Sequence, residues 1–241
     1  LLNFTACHDG VGLRPLEGLM PPSRLRELLI ACEQRGGLVS HRRSADGTEV
    51  PYEINISWWS AMADGGVDPS YRQRERFLLT QLMVLALPGV PAFYLPALLA
   101  TANDLGRFRR SGHRRDLNRP QFKQRTLERR LQDPDSDAAA VLTALKQALA
   151  VRATLPALHP DGQLQVLTPD RVDRVVLRRS HAGHDLLAVH NVTSTRLSLD
   201  PSGLLDQEDA SLWVDCLSGR TLEPCKRHLL NPYEVLWLVR S

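Results

Sequence analysis

The chain opens on LLNFTACHDG, where apolar and β-prone residues run up to Cys7, His8, Asp9 and Gly10. That pattern predicts a buried strand over 1–8 ending on an imidazole and a carboxylate side by side. Next comes RLRELLIACEQRGG, with Leu25, Leu28, Leu29 and Cys32 at the i, i+3, i+4, i+7 spacing of one helical face. Ser23 is the expected cap, and Gly36 falls where a left-handed C-terminal residue belongs. Asp68-Pro69 predicts the start of a second helix, with the acid at the cap and proline at the first helical position. Its apolar run, FLLTQLMVLAL (77–87), stops at Pro88-Gly89. VPAFYL (90–95) is a short continuous apolar run between turn residues, as expected of a strand covered on both faces. Asp133-Pro134 repeats the cap-and-proline device before a third helix, whose apolar stripe is Val141, Leu142, Leu145 and Leu149.

Up to about residue 155 the order is strand, helices, strand, helix, the alternation of a parallel α/β sheet or barrel. After Pro156 the period changes. QLQVL, RVVLRR, DLLAVHNV, TRLSL, ASLWVDC and VLWLVR are short strands at regular spacing, separated by Gly, Pro and Asp turns. They predict a small antiparallel β domain over 156–241, with the boundary near LPALHPDG (155–162). There are no internal repeats and no low-complexity segments.

Composition narrows the classes. The 241 residues are 43% apolar, enough for one large or two modest cores. Thirty basic residues against twenty-seven acidic ones leave a formal charge of +3. The arginine clusters (Arg42–Arg43, Arg107–Arg110, Arg114–Arg115, Arg129–Arg130) lie among acids and, Phe108 apart, lack interleaved aromatics, which favours solvated loops over nucleic-acid binding. No apolar run reaches the roughly 18 residues of a membrane span, and no secretory pattern opens the chain. Cys7, Cys32, Cys216 and Cys225 have no CxxC spacing, so neither a metal site nor a disulfide framework is indicated. They are expected to be reduced thiols in a cytoplasmic protein. Without a secretory signal, the sequons at Asn3, Asn55 and Asn191 are expected to be fortuitous.

Open α/β barrels place their chemistry at the C-terminal ends of their strands, where His8 and Asp9 would stand. The same pair also suits a satisfied core histidine followed by a capping aspartate. FTACHDG with the following VGLRP resembles the end of the seventh barrel strand in the α-amylase superfamily, glycoside hydrolase family 13, and within it the sucrose phosphorylase group. DGTEVPYEINISWW (46–59), LALPGVPAFYLPALLATAND (85–104) and RRDLNR (114–119) agree with that group in order, and the resemblance extends over essentially the whole chain.

The resemblance implies the C-terminal part of a (β/α)8 barrel over 1–155, strands seven and eight with their helices and a loop insertion at about 11–67, followed by the antiparallel β domain. It implies that Asp9 stabilises the transition state and that His8 binds glucose hydroxyls of the donor. Arg115 would help fix the non-reducing end of the glucosyl unit. Tyr52 and Glu53 would lie on the loop lining the acceptor and phosphate side. PYEIN, with Glu53 where sucrose phosphorylases often have Gln, looks more like the relatives acting on glucosylglycerate or glucosylglycerol. Cys7 replaces a commoner Ser, and Ala102 stands where a TRND-like stretch has Arg, which leaves the acceptor open.

The implied activity is retaining phosphorolysis of an α-glucoside, with inorganic phosphate as co-substrate and no cofactor or metal. The retaining mechanism passes through a cationic oxocarbenium-like state flanked by carboxylates. An ionised Asp9 would be worth more there than against the neutral ground state. The Arg-rich segment 107–119 is the expected cationic lining for phosphate. In this family the nucleophile and the general acid/base come from the fourth and fifth strands, and no acid in 10–241 matches either motif. The expectation is therefore a fragment inactive alone, whose partner is the N-terminal barrel portion of the same protein. A family 13 hydrolase or transglucosylase, or a non-catalytic carbohydrate-binding remnant, are the alternatives.

Overall fold

The computed structural model describes every residue except 65–67, 69–70, 169, 202–211, 224–225 and 241. The first half of the chain contains β1 (Leu2–Asn3), β2 (Val11–Gly12), α1 (Pro22–Gln34), β3 (Leu38–Arg43), β4 (Glu49–Asn55) and α2 (Trp58–Ala61). Then come α3 (Gln73–Ala86), β5 (Val90–Pro91), α4 (Leu95–Leu98), α5 (Leu105–Ser111), α6 (Gln124–Gln132) and α7 (Asp137–Thr154). The remainder is β6 (Gln163–Val166), β7 (Arg174–His181), β8 (His184–Asn191), β9 (Leu197–Leu199), β10 (Trp213–Asp215), β11 (Thr221–Leu222), β12 (His228–Leu230) and β13 (Val235–Arg240). Among the described residues no helix is long and apolar enough to cross a membrane.

By packing, the chain forms two compact units, neither of them a single stretch. One comprises 4–74 and 93–142. Its core is Leu13, Cys32, Ile54 and Ile56, with the expected stripe Leu25, Leu28 and Leu29 of α1 packed against it. Gly36 ends α1 in the left-handed conformation at φ +78°. Ser23 is not the cap. The helix starts one residue earlier, at Pro22, and has no side-chain cap bond, because the preceding cap residue is Pro21, whose side chain carries no acceptor. A three-stranded antiparallel sheet, in the order β2-β4-β3, occupies much of the 11–67 stretch. Its β3–β4 hairpin turns at Ser44–Gly47, where Asp46 Oδ1 accepts from the Thr48 N–H and Gly47 takes φ +87°. The Asp46-Gly47 pair was the legible signal for this turn. Asp104 caps α5 by accepting from the Arg107 N–H at 2.8 Å, and Gly112 at φ +70° stops it.

The other unit comprises 1–3, 75–92 and 143–241. Its six-stranded sheet has the order β11-β10-β13-β8-β7-β6, and every pair in it is antiparallel. The predicted β strands lie in this sheet or in the small β12-β9 sheet, and β11 and β12 are additions. The apolar run VLWL of β13 is buried from Val235 to Leu238, and its core includes Val176, Leu187, Val189, Trp213 and Leu236. Arg179 is fully buried, and among the described residues no carboxylate pairs with it. Its guanidinium donates to the carbonyls of Gln163, Ala86 and His159 at 2.7–3.0 Å, which answers the cost of burying the charge.

Two strand expectations change. β1 pairs in parallel with β5, Leu2 opposite Val90 and Asn3 opposite Pro91, but each strand is two residues long rather than spanning 1–8 or 90–95. Leu1, Leu2 and Val90 are exposed instead of buried, because a two-stranded sheet has no cover on its faces. Gly89 is required beside it. At φ +103° it brings its backbone so close to Leu1 that a Cβ would lie 2.7 Å from the Leu1 carbonyl oxygen. The third helix begins at Asp137, where the Ser136 hydroxyl accepts from the Ala139 N–H, so Ser136 replaces Asp133 as the cap. The second helix begins at Gln73 and not at Asp68-Pro69, since the Asp68 carbonyl accepts from the Tyr71 N–H in a turn before it; Pro69 itself lies outside the described residues, as does Cys225. The three sequon asparagines all spend their side-chain amides inside the protein. Asn3 donates to the Pro88 carbonyl, Asn55 to the Ser40 hydroxyl and Asn191 to the carbonyls of Thr195 and Asn231.

Candidate active site

The site is built around the loop that carries Cys7, His8, Asp9 and Gly10. Just beyond it, β2 pairs with β4, with Gly12 opposite Glu53 and Val11 opposite Ile54. A Cβ at Gly10 would lie 2.5 Å from Glu53 Cγ and 2.6 Å from the Ile54 carbonyl oxygen, so only glycine lets the loop lie this close to β4. Asn118 holds the loop from the other side. Its Nδ2 faces the carbonyls of Cys7, His8 and Asp9 at 3.0–3.5 Å. The Asn118 carbonyl in turn accepts from the Tyr94 hydroxyl at 3.2 Å. Burial pushes the Tyr94 phenol above its usual range, so it stays a neutral donor.

Four of the five expected site residues meet here. Arg115 Nη1 is 2.7 Å from Asp9 Oδ1. The same guanidinium grips Glu53 with two bonds, Nη2 to Oε2 at 2.8 Å and Nε to Oε1 at 3.2 Å. The bonds to Glu53, then its charge, raise the Arg115 pKa further, so it is a fixed cation. His8 Nε2 lies 3.6 Å from Asp9 Oδ1, with the imidazole 70% exposed. That excludes a satisfied core histidine. Tyr52 and Glu53 face opposite ways on β4. Tyr52 is exposed, whereas Glu53 is only 4% exposed. Ala102 is exposed, and its neighbour Asn103 is the structural member of the TAND stretch, accepting from the Ser57 N–H at 2.7 Å and donating towards the carbonyls of Arg35 and Gly36.

Arg119 was not singled out from the sequence, although it lies in the RRDLNR stretch. Its Nε donates to the His8 carbonyl at 2.6 Å and its Nη2 lies 3.4 Å from Asp9 Oδ1. The Asp9 carboxylate therefore stands between two guanidiniums. Elsewhere in 107–119, Arg107 pairs with Asp116 at 3.1 Å and Arg114 donates to the Val39 carbonyl. Ligand atoms of Cys7, His8 and Asp9 lie within 4.8 Å of one another. Two arginines on Asp9 set a strong electrostatic bias against a cation there.

Beside Asp9 opens a cavity of about 280 Å³, lined among others by Phe4, Gly10, Trp58, Tyr94 and Asn118. It is close to the lower end of small-molecule pockets and combines aromatic faces with a few polar groups.

No protein-family model matches the chain. Glucosylglycerate phosphorylase of Escherichia coli (strain K12) is 32% identical over 240 residues, 98% of this chain and 41% of the relative. The protein of the same name from Allomeiothermus silvanus is 36% identical over 238 residues, 98% of this chain and 40% of its own length. Among solved structures, sucrose 6F-phosphate phosphorylase from Thermoanaerobacter thermosaccharolyticum shares the fold. Its TM-score is 0.64 at 20% identity, over 99% of this chain and 40% of that one. The chain thus spans about two fifths of the length of the relatives it matches. It belongs to the sucrose phosphorylase and glucosylglycerate phosphorylase group of glycoside hydrolase family 13, corresponding to the C-terminal portion of its members.

Proposed function

We propose that the chain forms one side of the active site of an α-glucoside phosphorylase, which transfers glucose from a sucrose- or glucosylglycerate-type donor to phosphate and gives α-glucose 1-phosphate. The observation that carries this reading is the exposed His8–Asp9 pair, held by Arg115 and Arg119 beside a sugar-sized cavity. In this proposal β1 and β5 are neighbouring barrel strands. The nucleophile and general acid/base are supplied by the preceding part of a longer polypeptide, which is the partner of the 241 residues.

The ionised Asp9 lies near the anomeric carbon, and its charge stabilises the oxocarbenium-like state more than the neutral donor. His8 bonds glucose hydroxyls with an imidazole that solvent can reach, and Arg115 fixes the glucosyl unit. Tyr52 faces the acceptor side. Phosphate meets the arginine-bearing segment 107–119, where Arg119 is the cation nearest Asp9 after Arg115. The 241-residue chain alone is inert, because Asp9 has no covalent chemistry to assist.

The test is a product assay on the full-length protein with sucrose, sucrose phosphate, glucosylglycerate or glucosylglycerol, each with and without phosphate. Phosphate-dependent glucose 1-phosphate from one of these donors is expected, with none from the 241-residue chain. Release of free glucose independent of phosphate would replace the reading with hydrolysis.

A further inference from the structure

We propose that Glu53 is a positioning residue that acts through Arg115, and does not meet the acceptor. This rests on the phosphorylase reading of the same site. The guanidinium of Arg115 offers a planar fork, and Glu53 occupies two of its nitrogens, Nε and Nη2. Only Nη1 is left directed at Asp9, at 2.7 Å. Arg115 comes from the short 3₁₀ segment Arg114–Asn118 and its side chain is 42% exposed, so its own surroundings do not lock it. Glu53 is locked. Its carboxylate side chain is 5% exposed, its backbone is paired opposite Gly12, and its Cγ lies directly against Gly10.

The pairing with Gly12 fixes Glu53 relative to the loop that carries Asp9, and Arg115 spans the two. A buried carboxylate with a bidentate partner defines direction as well as charge, which a lone exposed ion pair does not. Glu53 thus sets the angle at which the Arg115 charge meets Asp9. A buried carboxylate facing Arg115 also cannot reach a substrate on the Tyr52 side of β4, since neighbouring residues of a strand point to opposite faces.

Two measurements test this. In the 241-residue chain, the Arg115 Nε–H resonance should move when Asp9→Asn is introduced, and should cease to respond in a Glu53→Gln background. An Arg115 signal that responds equally in both backgrounds overturns the proposal, whatever the enzyme's activity proves to be. In the full-length enzyme, Glu53→Gln should lower kcat by about 10- to 10²-fold for every acceptor alike, leaving acceptor KM values and their ranking unchanged. Adding it to Arg115→Ala should cost less than about twofold more, the non-additivity of residues acting as a unit. Guanidinium ion should restore part of the activity of Arg115→Ala and fail to do so once Glu53 is also Gln. A changed ranking among fructose, glycerol and glycerate, or additive losses, would show that Glu53 acts on the acceptor directly. A wild-type enzyme that makes no glucose 1-phosphate removes the functional reading and leaves the resonance experiment to decide the positioning role.

Discussion

Asp9 is the residue whose charge the site is arranged around. It stands between Arg115 at 2.7 Å and Arg119 at 3.4 Å, with His8 at 3.6 Å. In the full-length enzyme, Asp9→Asn keeps the shape and removes the charge. It should reduce kcat by roughly 10²–10³, about 2.7–4 kcal/mol, with little change in donor binding. Steady-state kinetics of that variant check it, and a near-normal kcat would make Asp9 a structural aspartate. At this scale the sequence was informative about identities. The His-Asp pair, PYEIN and RRDLNR contain His8, Asp9, Glu53, Arg115 and Arg119, the charged groups that meet around Asp9. It did not show direction. Glu53 and Tyr52 are adjacent letters, and only the pleat of β4 turns one inward onto Arg115 and leaves the other exposed. The need for glycine at position 10 comes from β4, whose Glu53 and Ile54 leave no room for a Cβ there.

Among the elements, β8 is distinctive because it is buried from Leu186 to Asn191 and includes an imidazole. His190 is fully buried, with Nδ1 3.1 Å from the Val175 carbonyl, and burial lowers its pKa from 6.5 to about 4. Between those values the unfolded chain holds a proton that the folded chain does not, so stability rises with pH there. It is fully present above about pH 6.5 and falls as the pH drops towards 4. The loss is on the order of 3 kcal/mol. Urea unfolding between pH 7 and 4 should show this slope, and His190→Gln, which cannot titrate, should flatten it. An unchanged slope in that variant would assign the acid sensitivity to other groups. Such a histidine could not be picked out of DLLAVHNV, because a period-two pattern does not say that both faces of a strand are covered.

At the scale of the molecule, the six-stranded sheet and the β1–β5 pair stand at opposite ends of stability. β7, β8 and β13 are paired on both sides over long registers, whereas β1 and β5 share two residue pairs and expose Leu1, Leu2 and Val90. Hydrogen exchange on the 241-residue chain should be slowest in β8 and β13 and fast over 1–8 and 90–95. In the full-length protein the two fast segments should become protected, as neighbouring strands of the proposed barrel close on them. Equal exchange of 1–8 in both proteins would contradict that closure.

The sequence by itself determined the amphipathic stripe of α1, the apolar helix that stops before Pro88-Gly89 and the antiparallel strands of the C-terminal half, and it carried His8, Asp9, Glu53 and Arg115 as candidates. Each of these is set by local period, by a turn residue or by side-chain chemistry, which neighbouring letters carry. The tertiary structure alone decided the extents of β1 and β5, since strand length depends on partners brought from elsewhere in the chain. It also decided the β2-β4-β3 sheet, the burial of Arg179 and His190, and the bridge from Glu53 through Arg115 to Asp9. That bridge joins positions 9, 53 and 115, and its geometry follows from strand register and from the close approach at Gly10, which no local pattern encodes.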